Sequence, residues 1–290
     1  MNSQKKQTTY DIKDKQGKTV NKLALAKEIE VLFEGVDTTK YKTVKSTIDL
    51  SNIKEQFCYL TIGHWMQGDV GEDRKNIGYT VKAFLETFKN KNNPPALILK
   101  TQQVGSSISD QTRILEKINS IRRTVKGKLP NVYLLHGDLT DENINNLYNH
   151  PKVKVMLSLA KGEGFGRPLL EFTTTGKPIL ASGWSGQTDF LDPDKSCLIG
   201  GTLTDVHKSA QIKDMILAES KWFTPDPIDL GKKLRDSFKH YKKFLSLSKK
   251  QKRRTLEEFT FKHMSERIDN ILEEKLPKFP ELVELKLPQL

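Results

Sequence analysis

Cysteine is scarce in this sequence, and long apolar runs are missing. The 290 residues include two cysteines, Cys58 and Cys197. Both lie in apolar segments, which predicts buried, reduced thiols rather than a disulfide. The longest apolar runs have the length of a β-strand, so we expect no membrane-spanning helix. The first 22 residues are too polar for a secretory signal, and we expect a cytoplasmic protein.

Motifs that would define several other classes of protein are also missing. Cysteine and histidine do not cluster, which argues against a zinc site, and there is no serine elbow of the hydrolase type. The glycines at 162, 164 and 166 do not have the G-x-G-x-x-G spacing of dinucleotide-binding proteins. Asp192 and Asp194 flank a proline, a pattern that most simply indicates a turn. We therefore expect neither a metal ion nor a bound cofactor.

Positive charge is in excess, with a formal net charge of +12. The stretch that begins at Lys232 and ends at Arg254 contains eleven Lys and Arg and one Asp. Apolar residues recur through it at helical spacing, which predicts a helix with one packed face. Two interpretations stay open for its charges: a solvated helix face, or a surface for nucleic acid or another anion.

Strand-length apolar segments alternate with amphipathic helical patterns from residue 57 onward. The predicted strands are 57–62, 96–100, 132–136, 155–159, 179–181 and 197–200. The predicted helices are 76–89, 110–125, 141–148, 168–175 and 256–275. This alternation is typical of an α/β protein with a doubly wound, Rossmann-like parallel sheet.

A glycine-rich turn follows the predicted strand 155–159. Gly162, Gly164 and Gly166 allow the backbone to approach a ligand closely, and Pro168 suits the first turn of the helix that follows. Such a loop directs free amides and the positive end of a helix dipole at the carboxyl edge of the sheet, where open α/β sheets bind ligands. We therefore expect an anion-binding loop here.

Two glutamates frame this helix start. Glu163 lies in the loop and Glu171 lies one or two turns into the helix, so both carboxylates can face one crevice. A carboxylate accepts hydrogen bonds from two vicinal hydroxyls at once. Backbone amides that bind phosphate, together with carboxylates that accept hydrogen bonds from hydroxyls, suit a nucleotide sugar.

The segment EGFGRPLLE, from Glu163 to Glu171 and followed by GKPILAS, resembles the signature of the retaining, GT-B-fold glycosyltransferases of the "group 1" family (family four). The resemblance extends over residues 30–271 and is most specific over 153–189. It implies that the chain holds the C-terminal, donor-binding half of such an enzyme. The acceptor-binding half would then be a separate N-terminal domain, or a second copy of the chain would complete the site.

The resemblance also implies roles for individual residues. Glu163 and Lys75 would be catalytic, with Glu163 on a donor-sugar hydroxyl and Lys75 on the donor phosphates. Glu171 would hold the ribose hydroxyls, and the amides of Gly164, Phe165 and Gly166 would meet the sugar and diphosphate. The leaving diphosphate would need no metal.

One position departs from the family pattern. The family usually has an arginine where this sequence has His64, which puts one phosphate contact in doubt, and Arg74 is a possible substitute. The family's base-binding loop corresponds to residues around Leu135 and Gly137. We therefore expect the nucleotide base there, with His64 and Arg74 near the phosphates.

These observations divide the chain into four expected parts. They are a disordered lead-in (1–27), a remnant of the interdomain hinge that includes a strand at 28–33 (28–56), a nucleotide-sugar-binding domain (57–225) and basic C-terminal helices (226–290). The expected function is transfer of a sugar from a nucleotide sugar with retention. The alternative is a non-catalytic module that binds a nucleotide sugar or nucleic acid.

Overall fold

A computed structural model describes residues 9–14, 16–24, 30–66, 70–103 and 105–276. The strands in chain order are β1 (Thr9–Lys13), β2 (Thr19–Ala24), β3 (Cys58–Ile62), β4 (Ala96–Lys100), β5 (Val132–Leu135), β6 (Val153–Ser158), β7 (Ile179–Ser182), β8 (Cys197–Ile199), β9 (Gly201–Asp205) and β10 (Lys221–Pro225). The α-helices are α1 (Ile77–Phe88), α2 (Ile108–Thr124), α3 (Asp141–Asn149), α4 (Arg167–Thr173), α5 (Pro227–Lys239), α6 (Tyr241–Glu258) and α7 (Phe261–Lys275).

The chain forms two compact units, of which Val36–Thr260 is the larger. Its centre is a six-stranded sheet with the order β5-β4-β3-β6-β7-β8, in which every neighbouring pair is parallel. This confirms the predicted α/β fold with a doubly wound parallel sheet. The chain proceeds from β3 outward to β5 and then returns to β6, beside β3. In sheets of this kind the crevice at the reversal is the usual ligand site.

Burial on both faces explains why the central strands were readable from sequence. Every residue of β4 is buried, as are the first four of β3, and such strands read as continuous apolar runs. α1 covers the sheet with an apolar face that includes Val81, Phe84 and Phe88. The Phe84 and Phe88 ring centroids lie 5.0 Å apart.

Side-chain caps fix where several helices begin. Ser107 precedes α2, Thr140 precedes α3 and Asp226 precedes α5, and each side chain accepts a hydrogen bond from a first-turn amide. The basic stretch 232–254 is divided between α5 and α6, which meet at His240. Both helices lie within the larger unit.

An antiparallel ribbon between β8 and α5 was not predicted. It pairs β9 with β10, and all five residues of β9 are exposed. An exposed strand carries no apolar run, so its composition gave no strand signal. Because β9 starts two residues after β8 ends, the ribbon leaves the sheet at its carboxyl edge.

The smaller unit comprises Met1–Gly35 and Phe261–Leu290. Within the predicted lead-in, β1 and β2 form an antiparallel hairpin where we expected no regular structure. Asp14 and Gly17, which has a φ of 81°, form its turn; this turn chemistry was overlooked. Residues 28 and 29 of the predicted strand 28–33 lie outside the described residues, and 30–33 form no strand.

Among the helices that the structure describes, none has the length and apolar character needed to cross a bilayer. The two cysteines are buried free thiols, as predicted.

Candidate functional site

The chain reversal between β3 and β6 brings together two loops that carry charged residues. Lys75, in the loop after β3, donates from Nζ to Oε1 of Glu163, in the loop after β6, at 2.5 Å. Arg74 Nη1 lies 3.1 Å from Glu163 Oε2 and 2.7 Å from the carbonyl oxygen of Gly162. Three of the predicted site residues therefore meet at the crevice that the strand order creates.

Exposure differs sharply among these three side chains. Glu163 is 10% exposed and Lys75 19%, whereas Arg74 is 46% exposed. The adjoining crevice is lined by the ends of β3 and β6, the glycine loop and the first turn of α4, including Ile62, Gly166 and Leu169. Two cations around one carboxylate leave this crevice with a net positive charge, which favours an anionic ligand.

The loop after β7 fixes the backbone of Glu163. Ser185 Oγ accepts a hydrogen bond from the Glu163 amide at 3.0 Å and donates to its carbonyl oxygen at 2.6 Å. The Gly186 amide donates to the same oxygen at 3.1 Å. Ser185 adopts a φ of 75°, which is unusual for a residue other than glycine. Together these contacts fix the backbone of Glu163 against the loop that follows β7, so both loops determine where its side chain lies.

Gly186 is required by close approach of backbone. A Cβ at this position would lie 2.0 Å from the carbonyl oxygen of Gly164. No side chain can be accommodated at that distance without movement of the backbone. The Gly186 segment therefore packs directly on the glycine loop.

The glycine loop presents unused amides. Within the part of the chain that the structure describes, the amides of Gly164, Phe165 and Gly166 make no hydrogen bond to a protein acceptor. Gly166 has a φ of 97° and begins α4 without a side-chain cap. The Phe165 ring is buried, with its centroid 5.0 Å from that of Phe190. Only the backbone of Phe165 is thus available to a ligand.

Glu171 lies in a different environment from Glu163. Its side chain is 11% exposed, and Oε2 accepts a hydrogen bond from Tyr148 Oη at 3.2 Å. Arg167, one turn earlier in α4, approaches Oε1 to 3.7 Å. Burial, followed by the negative charge of Glu171, raises the pKa of Tyr148 well above its usual value. Tyr148 therefore remains a hydrogen-bond donor to Glu171 at every physiological pH.

The predicted base-binding residues lie farther along the carboxyl edge, at the outer strand. Leu135 ends β5, and the carbonyl oxygen of Gly137 accepts a hydrogen bond from Lys100 at 2.5 Å. Beside them His136 Nε2 lies 2.7 Å from Oδ2 of Asp110, and both side chains are buried. Burial acts to raise the pKa of Asp110, but hydrogen bonds from His136 and the Gln103 amide hold it below its usual value.

His64 does not join the charged cluster. Its side chain is exposed, and Nδ1 lies 2.9 Å from the carbonyl oxygen of Gln103. Arg74, the possible substitute, does contact Glu163. The structure therefore brings together Lys75, Arg74, Glu163 and the glycine loop, and it holds His64 away from the Glu163 carboxylate.

Sequence reasoning missed several residues that shape this edge of the sheet. Tyr148 holds Glu171 but lies in a segment with no motif of its own. Ser185 holds Glu163 and lies within residues 153–189, where the resemblance is most specific, but its contact with Glu163 was not predicted. Lys100 is the last residue of the buried strand β4. A charged residue at the end of an apolar run could have indicated that it belongs to the site. Lys161 follows β6, and its ammonium group lies 5.7 Å from the centroid of the Trp222 ring in the unpredicted ribbon.

Sequence and structure comparisons agree with this fold and with the motif. The family "Glycosyl transferases group 1" matches residues 117–227, which include the glycine loop, Glu163 and Glu171. This confirms the resemblance over that region; Lys75, Arg74 and His64 lie outside it. A comparison with curated proteins gives no match.

Similar solved structures include the C-terminal domain of a group 1 family glycosyl transferase (LpcC) from Francisella tularensis. It is 12% identical, with a TM-score of 0.54, and the match covers 78% of this chain and 100% of that one. Anabaena HepE, solved with UDP and glucose, is 16% identical with a TM-score of 0.57 over 84% of this chain and 57% of that one. Sucrose-phosphate synthase from Thermosynechococcus elongatus is 15% identical with a TM-score of 0.57 over 83% and 51%, respectively.

These likenesses show the fold: a six-stranded parallel sheet of the type found in the C-terminal domain of GT-B glycosyltransferases. The chain spans about half the length of the HepE and sucrose-phosphate synthase chains.

Proposed function

We propose that this chain is the donor-binding half of a glycosyltransferase that transfers a sugar from a nucleotide sugar to an acceptor, with retention at the anomeric carbon. The observation that carries the proposal is the cluster of Lys75, Arg74 and Glu163 beside three unbonded amides at the chain reversal. The family match and the UDP bound to HepE support the same ligand class.

The diphosphate of the donor would occupy the positive crevice. Lys75, Arg74 and the amides of Gly164 to Gly166 offer it charge and hydrogen bonds, so neutralisation of the leaving diphosphate requires no metal ion in this proposal. Without a ligand, Glu163 forms ion pairs with both Lys75 and Arg74. A bound diphosphate would take over that role, which frees the Glu163 carboxylate to accept a hydrogen bond from a donor-sugar hydroxyl.

Glu171 would bind the ribose. Tyr148 already donates to Oε2 and keeps the carboxylate in one orientation, since the Tyr148 ring is buried and packs edge-on against Phe172 at a centroid distance of 5.4 Å. A charge-assisted hydrogen bond of this type contributes roughly 1.5–3 kcal/mol. The base would lie toward Leu135 and Gly137, beyond Lys100 on the same edge.

Calorimetry with free nucleoside diphosphates tests this site directly. Glu171→Ala and Lys75→Met should each weaken binding by roughly 1.5–3 kcal/mol, because each removes a charged hydrogen bond to the ligand. Glu116→Ala and Lys82→Met, at exposed positions on α2 and α1, are matched controls and should bind as the wild type does. Unchanged affinity of folded Glu171→Ala and Lys75→Met proteins would refute the proposed site.

A non-catalytic module that binds a nucleotide sugar or nucleic acid is the second candidate, because residues 232–254 are strongly basic. Assays with a panel of nucleotide sugars, with and without an acceptor-binding half, separate the two. Hydrolysis or transfer of a donor supports the enzyme. Tight nucleotide binding without turnover under any of these conditions supports the module.

A further inference from the structure

A stripe of positive charge follows the exposed face of α6. Its members are Lys242, Lys243, Lys249, Lys250 and Arg253, and all five side chains are exposed. At 100° per residue they fall within about a third of the helix circumference. No Asp or Glu occurs between residues 236 and 257. Among the described residues, the four lysines form no ion pair, and Arg253 pairs with Glu257 at 2.7 Å.

Packing on the opposite face holds this stripe in place. Ser248, Gln251 and Thr255 are buried, and Gln251 donates to the carbonyl oxygen of Phe190 and accepts from the Asp192 amide. α6 also packs against α4. The stripe is therefore a fixed array of charges rather than a mobile tail.

A cleft with more lysines adjoins the stripe. Lys252 Nζ donates to Thr43 Oγ1 at 2.7 Å, which joins α6 to the segment that precedes β3. Lys42 and Lys45, on either side of Thr43, line a cleft against α3 together with Thr39 and Thr47. Neither lysine pairs with a carboxylate in the described part of the chain. Glu142 also lines the cleft, so its charge is mixed but positive in excess.

We propose that the α6 stripe and the adjoining cleft form a docking surface for a membrane that carries anionic lipids. The partner is a lipid surface, held by its head-group phosphates through electrostatic attraction. This inference is independent of the proposed glycosyl transfer, since none of these residues belongs to the candidate donor site.

The side-chain types favour lipid over nucleic acid. Four of the five stripe residues are lysines, which act as hydrated point charges, whereas planar arginine forks are the usual means of phosphate and base recognition in nucleic acids. The stripe carries no aromatic side chain on which a base could stack. The α6 aromatics, Tyr241 and Phe244, pack against the core instead. A lysine stripe suits attraction to a flat anionic surface, worth about 1 kcal/mol per charge.

Co-sedimentation of the full chain with vesicles tests the proposal. We expect binding to phosphatidylcholine vesicles that contain phosphatidylglycerol, no binding to pure phosphatidylcholine, and loss of binding at high salt. The triple variant Lys242→Gln/Lys249→Gln/Lys250→Gln should weaken binding on the order of 100-fold, about fivefold per charge. The pair Lys42→Gln/Lys45→Gln should weaken it by about 25-fold, at the same fivefold per charge.

A second triple variant controls for net charge. Lys82→Gln/Lys91→Gln/Lys126→Gln removes three exposed lysines elsewhere in the larger unit and should bind vesicles nearly as the wild type does. Circular dichroism confirms that all variants are folded. Equal loss in both triple variants, or no binding to anionic vesicles at low salt, would overturn the proposal. Tighter binding to duplex DNA than to vesicles, abolished by the stripe variant, would reassign the surface to nucleic acid.

Discussion

Gly186 shows how strongly a single position can constrain the glycine loop. The position opposite Gly164 leaves no room for a Cβ, since that atom would overlap the Gly164 carbonyl oxygen. Gly186→Ala should therefore destabilise the fold by roughly 1–3 kcal/mol or more, because backbone must move. Denaturant unfolding measures the effect. Gly162→Ala is the control: its Cβ would have no neighbour within 4 Å, so stability should be unchanged or rise by up to about 1 kcal/mol.

Lys177 is a buried lysine whose effect on the free energy of unfolding depends on pH. Its ammonium group donates to the carbonyl oxygens of Tyr148 and His150, near the end of α3. Burial, followed by the positive charge of Lys154, lowers its pKa from 10.5 to about 7. Between these two values the unfolded chain binds a proton that the folded chain does not. The free energy of unfolding should therefore fall as the pH falls from 10.5 to 7, and this contribution should then level off.

Replacing the amine isolates this contribution. In Lys177→Met, the difference from wild type in unfolding free energy should change with pH by a few kcal/mol across that interval and stay constant below it. Urea unfolding at several pH values measures this difference. Lys82→Met, at an exposed site, should track the wild type. A difference that does not vary with pH would mean that Lys177 keeps its ordinary pKa.

At the scale of elements, the sequence revealed those parts that are buried on both faces. The predicted strands 96–100 and 57–62 differ from β4 and β3 by at most one residue. The ribbon of β9 and β10 could not be predicted from the sequence, because β9 is wholly exposed and so has no apolar run. The candidate site was predictable to a similar extent. The motif that follows a buried strand revealed Glu163, Glu171 and the glycines, whereas the roles of Tyr148 and Ser185 depend on tertiary contacts that the sequence does not show.

The ribbon of β9 and β10 supports both charged loops of the candidate site. The Phe223 amide donates to the carbonyl oxygen of Lys161 at 3.0 Å, and the Lys161 ammonium lies over the Trp222 ring. Lys161 Nζ also donates to the carbonyl oxygen of Gly71. In the segment of chain that connects β9 to β10, Ser209 Oγ donates a hydrogen bond to Glu72 Oε2 at 2.6 Å. The ribbon therefore contacts the segments just before Arg74 and Glu163.

Removing the indole should loosen these loops. We expect that Trp222→Ala raises amide hydrogen exchange in residues 70–75 and 161–163, because a cation–π contact of about 0.5–2 kcal/mol is lost. Exchange in β3, β4 and β6 should stay slow. Trp222→Phe keeps an aromatic face and should resemble the wild type. Wild-type exchange in both loops of Trp222→Ala would show that the ribbon does not stabilise them.

At the scale of the whole molecule, the residues proposed to bind the donor all lie in one unit. Nucleotide affinity should thus need only that unit. Efficient transfer should need an acceptor-binding half as well, since positioning the acceptor against the donor can account for roughly 7–11 kcal/mol of barrier lowering. We expect the purified chain to bind donor and to transfer it poorly until such a half is supplied, which radiolabelled donor assays measure. Efficient transfer by the chain alone, as a monomer, would contradict this.

The strand order also determines when the candidate site can exist during folding. Lys75 and Glu163 are 88 residues apart in the chain, and their loops meet only after β6 has paired with β3. Pairing of β6 with β3 closes a long loop, and the entropy lost in closing it is not offset until contacts form. This pairing is therefore expected to be slow. A folding intermediate containing only the β3, β4 and β5 region would carry Lys75 without Glu163 and would not bind a nucleotide at this crevice. A ligand bound there would therefore stabilise the completed sheet and not this intermediate, so it would oppose the loss of β6 from the centre of the sheet.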